Sequence, residues 1–159
     1  MRPHTSPPVG FRTRASFYSP KVEREVLLAL DFMTRQDEQI AILFRLEFAA
    51  TMVDYSNYSY EPSLGMKKSV GRQHVDDYPG MDTLMTKFEQ IAYDIEWYKR
   101  NRANSERQSG EIFENSFLQS YNKIDRQSVD SLVTSPLYLN NCHYNRNTRP
   151  HLYWLGFCQ

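Results

Sequence analysis

The first regular pattern of apolar positions begins just after Pro20. Its residues recur at steps of four, four and three, the spacing of one helical face: Val22, Val26, Leu30 and Met33. Ser19 precedes Pro20, and serine as the N-cap with proline at the first helical position is a typical helix start. The pattern predicts a helix that either spans residues 20–54 or breaks near Thr34.

The second half of that segment, Ile40 to Val53, has a different pattern, because it is apolar nearly all round. The apolar residues are Ile40, Ile42, Leu43, Phe44, Leu46, Phe48, Met52 and Val53. A helix without a polar face is usually surrounded by other elements. We therefore expect this stretch to be the central element of the core.

Two further helices are predicted downstream, over residues 82–101 and 111–134. The apolar stripe of the first is Leu84, Phe88, Ile91, Ile95 and Tyr98, and that of the second begins with Phe113, Phe117, Tyr121 and Ile124. Pro136 ends helical structure, because the residue before proline is steered away from the helical region. The predicted fold is all-α, a small bundle of three to four helices.

Residues 54–80 interrupt this helical pattern with a long loop punctuated by glycine and proline. Loops of this length are uncommon inside a compact domain and are often functional. Within it, the alternation of tyrosine and serine predicts a short strand from Tyr58 to Tyr60.

The domain organisation that follows is an extended basic arm at 1–19, a helical domain at 20–135 and an aromatic, asparagine-rich arm at 136–159. The N-terminal arm has three prolines and no apolar period, so we expect it to be extended or disordered until a partner orders it. The C-terminal arm is turn-prone, yet its rings require burial. It is expected to pack on the helical domain or on a partner.

Charge is distributed unevenly although the formal net charge is zero. Residues 1–22 hold four basic residues and 131–159 hold two, and neither segment contains an acid. The middle of the chain carries the other 13 basic residues and all 19 acidic ones, a net of −6. A balanced total argues against nucleic acid as the partner, whereas acid-free ends favour a protein with an acidic surface, or self-association.

Candidate catalytic and metal chemistry is sparse. The residues suited to zinc are Cys142, His143, His151 and Cys158, but the paired ligands two to four residues apart that zinc sites use are missing. His74, Asp76 and Asp77 place an imidazole beside carboxylates in a loop where solvated acids are ordinary. No phosphate-binding loop or nucleophile motif is present. We predict no catalytic residue, metal ligand or cofactor.

The leading functional hypothesis is therefore a non-catalytic interaction or structural subunit of a larger assembly. The predicted partner-binding residues are Phe11, Arg12, Arg14, Phe17, Tyr18, Arg146, Arg149, Tyr153, Trp154 and Phe157. Their rings are expected to dock into partner grooves while the arginines steer the arms. The alternative is a small enzyme or metal-binding protein that uses the 54–80 loop and the Cys142/His143/His151/Cys158 cluster.

No stretch of the sequence is long and apolar enough to predict a membrane span, because Ile40–Val53 is short and contains Arg45 and Glu47. The expected compartment is cytoplasmic. A mitochondrial location is the alternative, since an acid-free N-terminus with arginine and serine is also typical of transit peptides.

Overall fold

The computed structural model describes residues 2–60, 63–72, 78–101, 110–113, 116–120, 122–134 and 144–158. The described part of the chain is mostly helical, with one pair of two-residue strands. No helix in these ranges combines the length and the apolar character that crossing a membrane requires.

The first helical segment is divided into two helices by a break near Thr34, one of the two alternatives that the sequence predicted. Helix α1 spans Pro20–Met33, and the Ser19 side chain accepts a hydrogen bond from the Val22 amide as its N-cap. Helix α2 spans Glu38–Thr51 and is capped by Asp37, whose carboxylate accepts from the Ile40 amide. The Asp37 cap satisfies an amide that a second helix start leaves unpaired, which favours two helices over one.

Helix α3 spans Gly80–Asn101, and α1, α2 and α3 contact one another. Its apolar stripe becomes more exposed along the helix, because Leu84 is 4% exposed whereas Tyr98 is 50% exposed. The first turns of α3 therefore pack against the other two helices, and residues 92–101 extend beyond them into solvent.

Residues 40–53 belong to the core on one face, whereas their sequence pattern favoured a helix surrounded by other elements. One face of α2 is buried, including Ala41, Phe48 and Thr51, but Ile42 and Leu46 on the other face are 54% and 58% exposed. The helix has neighbours on one side only in the described structure. Its apolar residues therefore outnumber the positions that the described part of the chain covers.

The 54–80 segment contains the predicted strand in a shorter form. Strand β1 (Tyr58–Ser59) pairs antiparallel with β2 (Gly65–Met66), so that Tyr58 lies opposite Met66. A 3₁₀ turn, Lys67–Val70, follows and ends at Gly71, whose φ of 73° is the left-handed conformation that glycine adopts readily.

The helix predicted over 111–134 was wrong for most of its length. Among the described residues of this range, only α4 (Phe117–Ser120) is helical. Residues 122–134 are exposed and non-helical, and Gln127 has a φ of 63°, which is incompatible with a continuing right-handed helix. The apolar period lacks a surface on which to be buried, and isolated helices of this composition are unstable in water.

The C-terminal arm forms a helix instead of the expected turns. Helix α5 spans Tyr144–Trp154 and contains Pro150 in its interior. It ends in a glycine cap, in which the Phe157 amide donates to the Leu152 carbonyl at 2.8 Å while Gly156 has a φ of 80°. Pro150 and Trp154 are both buried, so tertiary packing outweighs the low helix propensity of this sequence.

A cluster of aromatic rings joins the two ends of the chain to its middle. The Tyr18 and Trp154 ring centroids lie 4.8 Å apart in an edge-to-face arrangement, and Phe17 stacks on Tyr58 at 5.5 Å. Phe11 extends the cluster outward, with its ring centroid 5.3 Å from that of Phe17. Such pairs add to the free energy of burying their large apolar area. The aromatic cluster therefore fixes both ends of the chain to the helices.

The N-terminal arm, expected to be extended or disordered until a partner orders it, is attached to the helical domain at a second point. The Asp31 carboxylate accepts hydrogen bonds from the Thr5 hydroxyl and from the backbone amides of His4 and Thr5. These bonds, led by the Thr5 hydroxyl, hold the pKa of Asp31 below its ordinary value. The arm is irregular in structure but lies on the surface of the helical domain.

One buried carboxyl gives a testable pH dependence. Glu47 is 6% exposed, and its burial raises its pKa above the ordinary 4.5 although nearby Lys87 acts in the opposite direction. A raised folded-state pKa means that ionisation disfavours the folded state, so stability from this site is present at low pH and is lost as pH rises through the folded pKa. We expect Glu47→Gln to raise the free energy of unfolding at pH 7 by about 1 kcal/mol or less, and to have no stabilising effect at about pH 4.

Urea denaturation at the two pH values measures this difference. The exposed Glu89→Gln variant is the matched control and is expected to change stability at neither pH. Equal effects of Glu47→Gln at both pH values would show that the shifted ionisation of Glu47 is not their source.

Candidate anion-binding site

A cleft of about 400 Å³ opens where the N-terminal arm, the β1–β2 pair and α5 meet. Its cationic side chains come from both ends of the chain: Arg12, Arg14, Arg146 and Arg149. Phe11, Thr13, Tyr58, Ser63 and Ser69 also contribute to its lining. We call this feature the arginine cleft. It brings together the four arginines that the sequence predicted as partner contacts.

The wall formed by residues 11–14 is held by hydrogen bonds to the middle of the chain. The Tyr58 hydroxyl accepts from the Ala15 amide at 3.1 Å and lies 3.2 Å from the Ala15 carbonyl oxygen. The Asn57 side chain donates to the Ser16 carbonyl at 2.9 Å. The Asn57 backbone amide donates to the Phe17 carbonyl at 2.8 Å. Arg12 and Arg14 therefore lie just before a segment, residues 15–17, whose backbone is bonded to the start of β1.

The opposite wall is held in the same way. The Asn147 side chain accepts from the Leu64 amide at 2.9 Å, which ties α5 to the segment that leads into β2. Arg146 and Arg149 are three residues apart on α5, and this spacing places them on one helical face. The Arg149 guanidinium lies 5.7 Å from the Tyr153 ring centroid, in a cation–π contact that restricts its side chain.

The electrostatic character of the arginine cleft is uniformly positive. None of the described residues that line it is acidic. The guanidinium groups of Arg12, Arg14 and Arg146 form no ion pair within the described part of the chain. Arg146 lies in the first turn of α5, where the helix dipole adds positive potential. The cleft therefore offers several hydrogen-bond donors with formal charge, arranged before any ligand arrives.

The predicted ring contacts lie elsewhere, and this corrects the docking picture drawn from the sequence. Phe17, Tyr18 and Trp154 are 5%, 1% and 5% exposed, and they belong to the protein's own hydrophobic core. Phe11 and Tyr153 are half-buried and lie 5.4 Å apart. Of the predicted rings, only Phe157 is largely exposed, at 73%.

Sequence reasoning missed the residues that position the cleft. Tyr58, Asn57 and Asn147 act through hydrogen bonds to distant backbone, at separations of 41 to 83 residues. Ser63 and Ser69 come from the 54–80 loop, in which the sequence singled out no serine. No local pattern marks such residues, because asparagine and serine are common in ordinary turns.

The described members of the candidate metal cluster form no metal site. His151 donates through Nε2 to the Ala49 carbonyl at 3.0 Å, which satisfies a carbonyl in the last turn of α2, and its ring stacks against Tyr60. Cys158 lies beyond the glycine cap of α5. Cys142 and His143 lie outside the described residues, as do His74, Asp76 and Asp77. Within the described ranges, no three His, Cys, Asp or Glu side chains are grouped closely enough to hold a metal ion.

The chemistry that the described side chains support is anion binding. Arginine stays protonated at all accessible pH values and so cannot act as a general base, while it binds carboxylates and phosphates through paired hydrogen bonds. No protein-family model, curated protein or solved structure matches this chain.

Proposed function

We propose that this protein is a non-catalytic interaction subunit that binds an acidic segment of a partner protein in the arginine cleft. The observation that carries the proposal is the convergence of four arginines, from both ends of the chain, on one cleft whose described lining contains no acid. In this form the arginines act as a preformed site, and the aromatic rings hold that site together.

The fixed walls favour a specific contact over simple steering. The four arginines are exposed before binding, so a contact contributes about 1.5–3 kcal/mol, as a charged hydrogen bond does, only where the bound segment excludes water, and about 1 kcal/mol or less elsewhere. The hydrogen bonds from Tyr58, Asn57 and Asn147 fix the walls in advance. A fixed site loses less conformational entropy on binding than two mobile arms do.

The proposal keeps the sequence-based hypothesis of an acidic partner but changes its mechanism. Phe17, Tyr18 and Trp154 stabilise the junction of the two chain ends, and they are not offered to the partner. The half-buried ring of Phe11 and the hydroxyls of Ser63 and Ser69 remain available at the cleft for contacts beside the acidic groups.

The test is a binding titration with a fluorescently labelled peptide of alternating glutamate and glycine, followed by anisotropy at low salt. We expect Arg12→Ala combined with Arg146→Ala, one from each wall, to weaken binding at least about 10-fold. Arg35→Ala combined with Arg45→Ala is the matched control, since both residues are exposed, lie outside the cleft lining and remove the same charge.

The control pair separates a site from general attraction. Binding in the control is expected to fall less than about 2-fold, because exposed charges away from the ligand are screened by salt. Equal losses in the two double variants would contradict the proposal. Sedimentation of the unliganded protein as a dimer that Arg12→Ala/Arg146→Ala dissociates would instead assign the cleft to a second copy of the chain.

A further inference from the structure

We infer that the arginine cleft recognises a phosphorylated side chain on its protein partner in preference to a run of carboxylates. This inference rests on the proposed function and names the chemistry of the ligand. It starts from the number of charged side chains that line a cleft of about 400 Å³, which is four, all of them arginine.

The charge density matches a phosphate monoester better than a single carboxylate. A phosphorylated serine or threonine carries about −1.5 to −2 charges at neutral pH on one group, with three acceptor oxygens, whereas an aspartate or glutamate carries one. Several carboxylates spread along an extended peptide cannot all reach one compact set of donors. A single dianion can contact more than one guanidinium at the same time.

The donor types point the same way. The cationic groups in the cleft are all arginine, whose planar fork binds two phosphate oxygens at once, while Lys67 of the adjoining 3₁₀ turn uses its ammonium to donate to the Asp54 carbonyl. Ser63 and Ser69 add neutral hydroxyl donors to the same wall. The described lining contains no acidic residue that would repel a second negative charge.

The surroundings favour a phosphorylated protein segment over nucleic acid. Residues 23–130 carry a net charge of −6, and an extended polyanion would have to pass over this acidic part of the chain. The four arginines line one cleft, and a single phosphorylated side chain needs no longer basic surface than this. The Phe11 ring at the cleft gives an apolar contact for residues that flank the phosphate.

The experiment titrates three peptides into the protein and measures binding by calorimetry. The peptides are identical and uncharged except at the central residue, which is serine, glutamate or phosphoserine. We expect the phosphoserine peptide to bind at least about 10-fold more tightly than the glutamate peptide, and the serine peptide not to bind measurably. Arg12→Lys with Arg146→Lys preserves the charge but removes the fork, so it is expected to abolish most of this preference. Circular dichroism checks that the variant keeps its fold.

Each remaining outcome overturns the inference in a different way. Phosphoserine and glutamate peptides that bind within about 2-fold of each other, both sensitive to Arg12→Ala/Arg146→Ala, would leave the proposed function intact and make this a carboxylate site. Inorganic phosphate that binds as tightly as the phosphopeptide would assign the cleft to free phosphate. A single-stranded oligonucleotide that binds more tightly would assign it to nucleic acid. Binding that never depends on these arginines would end both proposals.

Discussion

Replacing Trp154 with alanine is expected to lower the free energy of unfolding by about 3–5 kcal/mol, which is the usual result of removing a large buried ring. Trp154 is 5% exposed, and its ring lies against those of Tyr18, Phe17 and Phe11. Alanine would leave a cavity at the point where α5, α1 and the N-terminal arm meet. Because a domain of this size has about 5–15 kcal/mol of stability in total, the variant is expected to be marginally folded.

The second tryptophan provides the matched control and the optical signal. Trp97 is 56% exposed in the part of α3 that extends beyond the other helices, so Trp97→Ala should change stability by less than about 0.5 kcal/mol. The chain contains two tryptophans, and the Trp97→Ala variant therefore reports on Trp154 alone during urea denaturation. Its emission should begin at short wavelength and shift to the red on unfolding. Similar stabilities for the two variants would show that α5 does not pack on the core.

The parts of this fold that the sequence predicted are those decided by local chemistry. Ser19 before Pro20 marked the start of α1, and a break near Thr34 was one of the two alternatives that the pattern allowed. The apolar stripe of α3 predicted its end at residue 101 and its start to within two residues. In each case neighbouring residues contain the signal, because capping bonds and helical faces extend over only a few positions.

The parts that failed depend on contacts between distant residues. The periodic stripe at 111–134 predicts a helix, yet a stripe forms a stable helix only when something covers it, and residues 122–134 are exposed. In the C-terminal arm, by contrast, the sequence favoured turns and the structure contains a helix, α5. Asparagine and Pro150 argue against a helix, and the burial of Trp154 against Phe17 and Tyr18 outweighs them.

The sequence predicted the charged residues of the candidate site but not their convergence, because the convergence depends on contacts between distant residues. Composition alone showed that both ends of the chain are basic and lack acids, so the four arginines could be named in advance. Their convergence could not, because it depends on Phe17 contacting both Tyr58 and Trp154, which lie far from it and from each other in the sequence. A single sequence contains no signal for pairings of this kind.

Phe48→Ala is expected to lower the free energy of unfolding by about 3–5 kcal/mol. Leu46→Ala, two residues earlier on the same helix, is expected to change it negligibly. Phe48 is fully buried among α1, α2 and α3, whereas Leu46 is 58% exposed. Both positions belong to the stretch whose sequence is apolar nearly all round, so hydrophobicity alone predicts equal losses. The structure predicts unequal losses, because only one face of α2 has neighbours to lose.

Thermal unfolding followed by circular dichroism distinguishes these alternatives. At about 2–4 °C per kcal/mol for a chain of this length, Phe48→Ala should lower Tm by about 6–20 °C. Leu46→Ala should leave Tm nearly unchanged, since alanine has at least the helix propensity of leucine. If Phe48→Ala does not fold, Phe48→Leu supplies a milder change that should still lower Tm measurably. A loss of Tm in Leu46→Ala as large as that in the Phe48 variant would mean that the outer face of α2 is covered in solution, and that this helix lies inside the core after all.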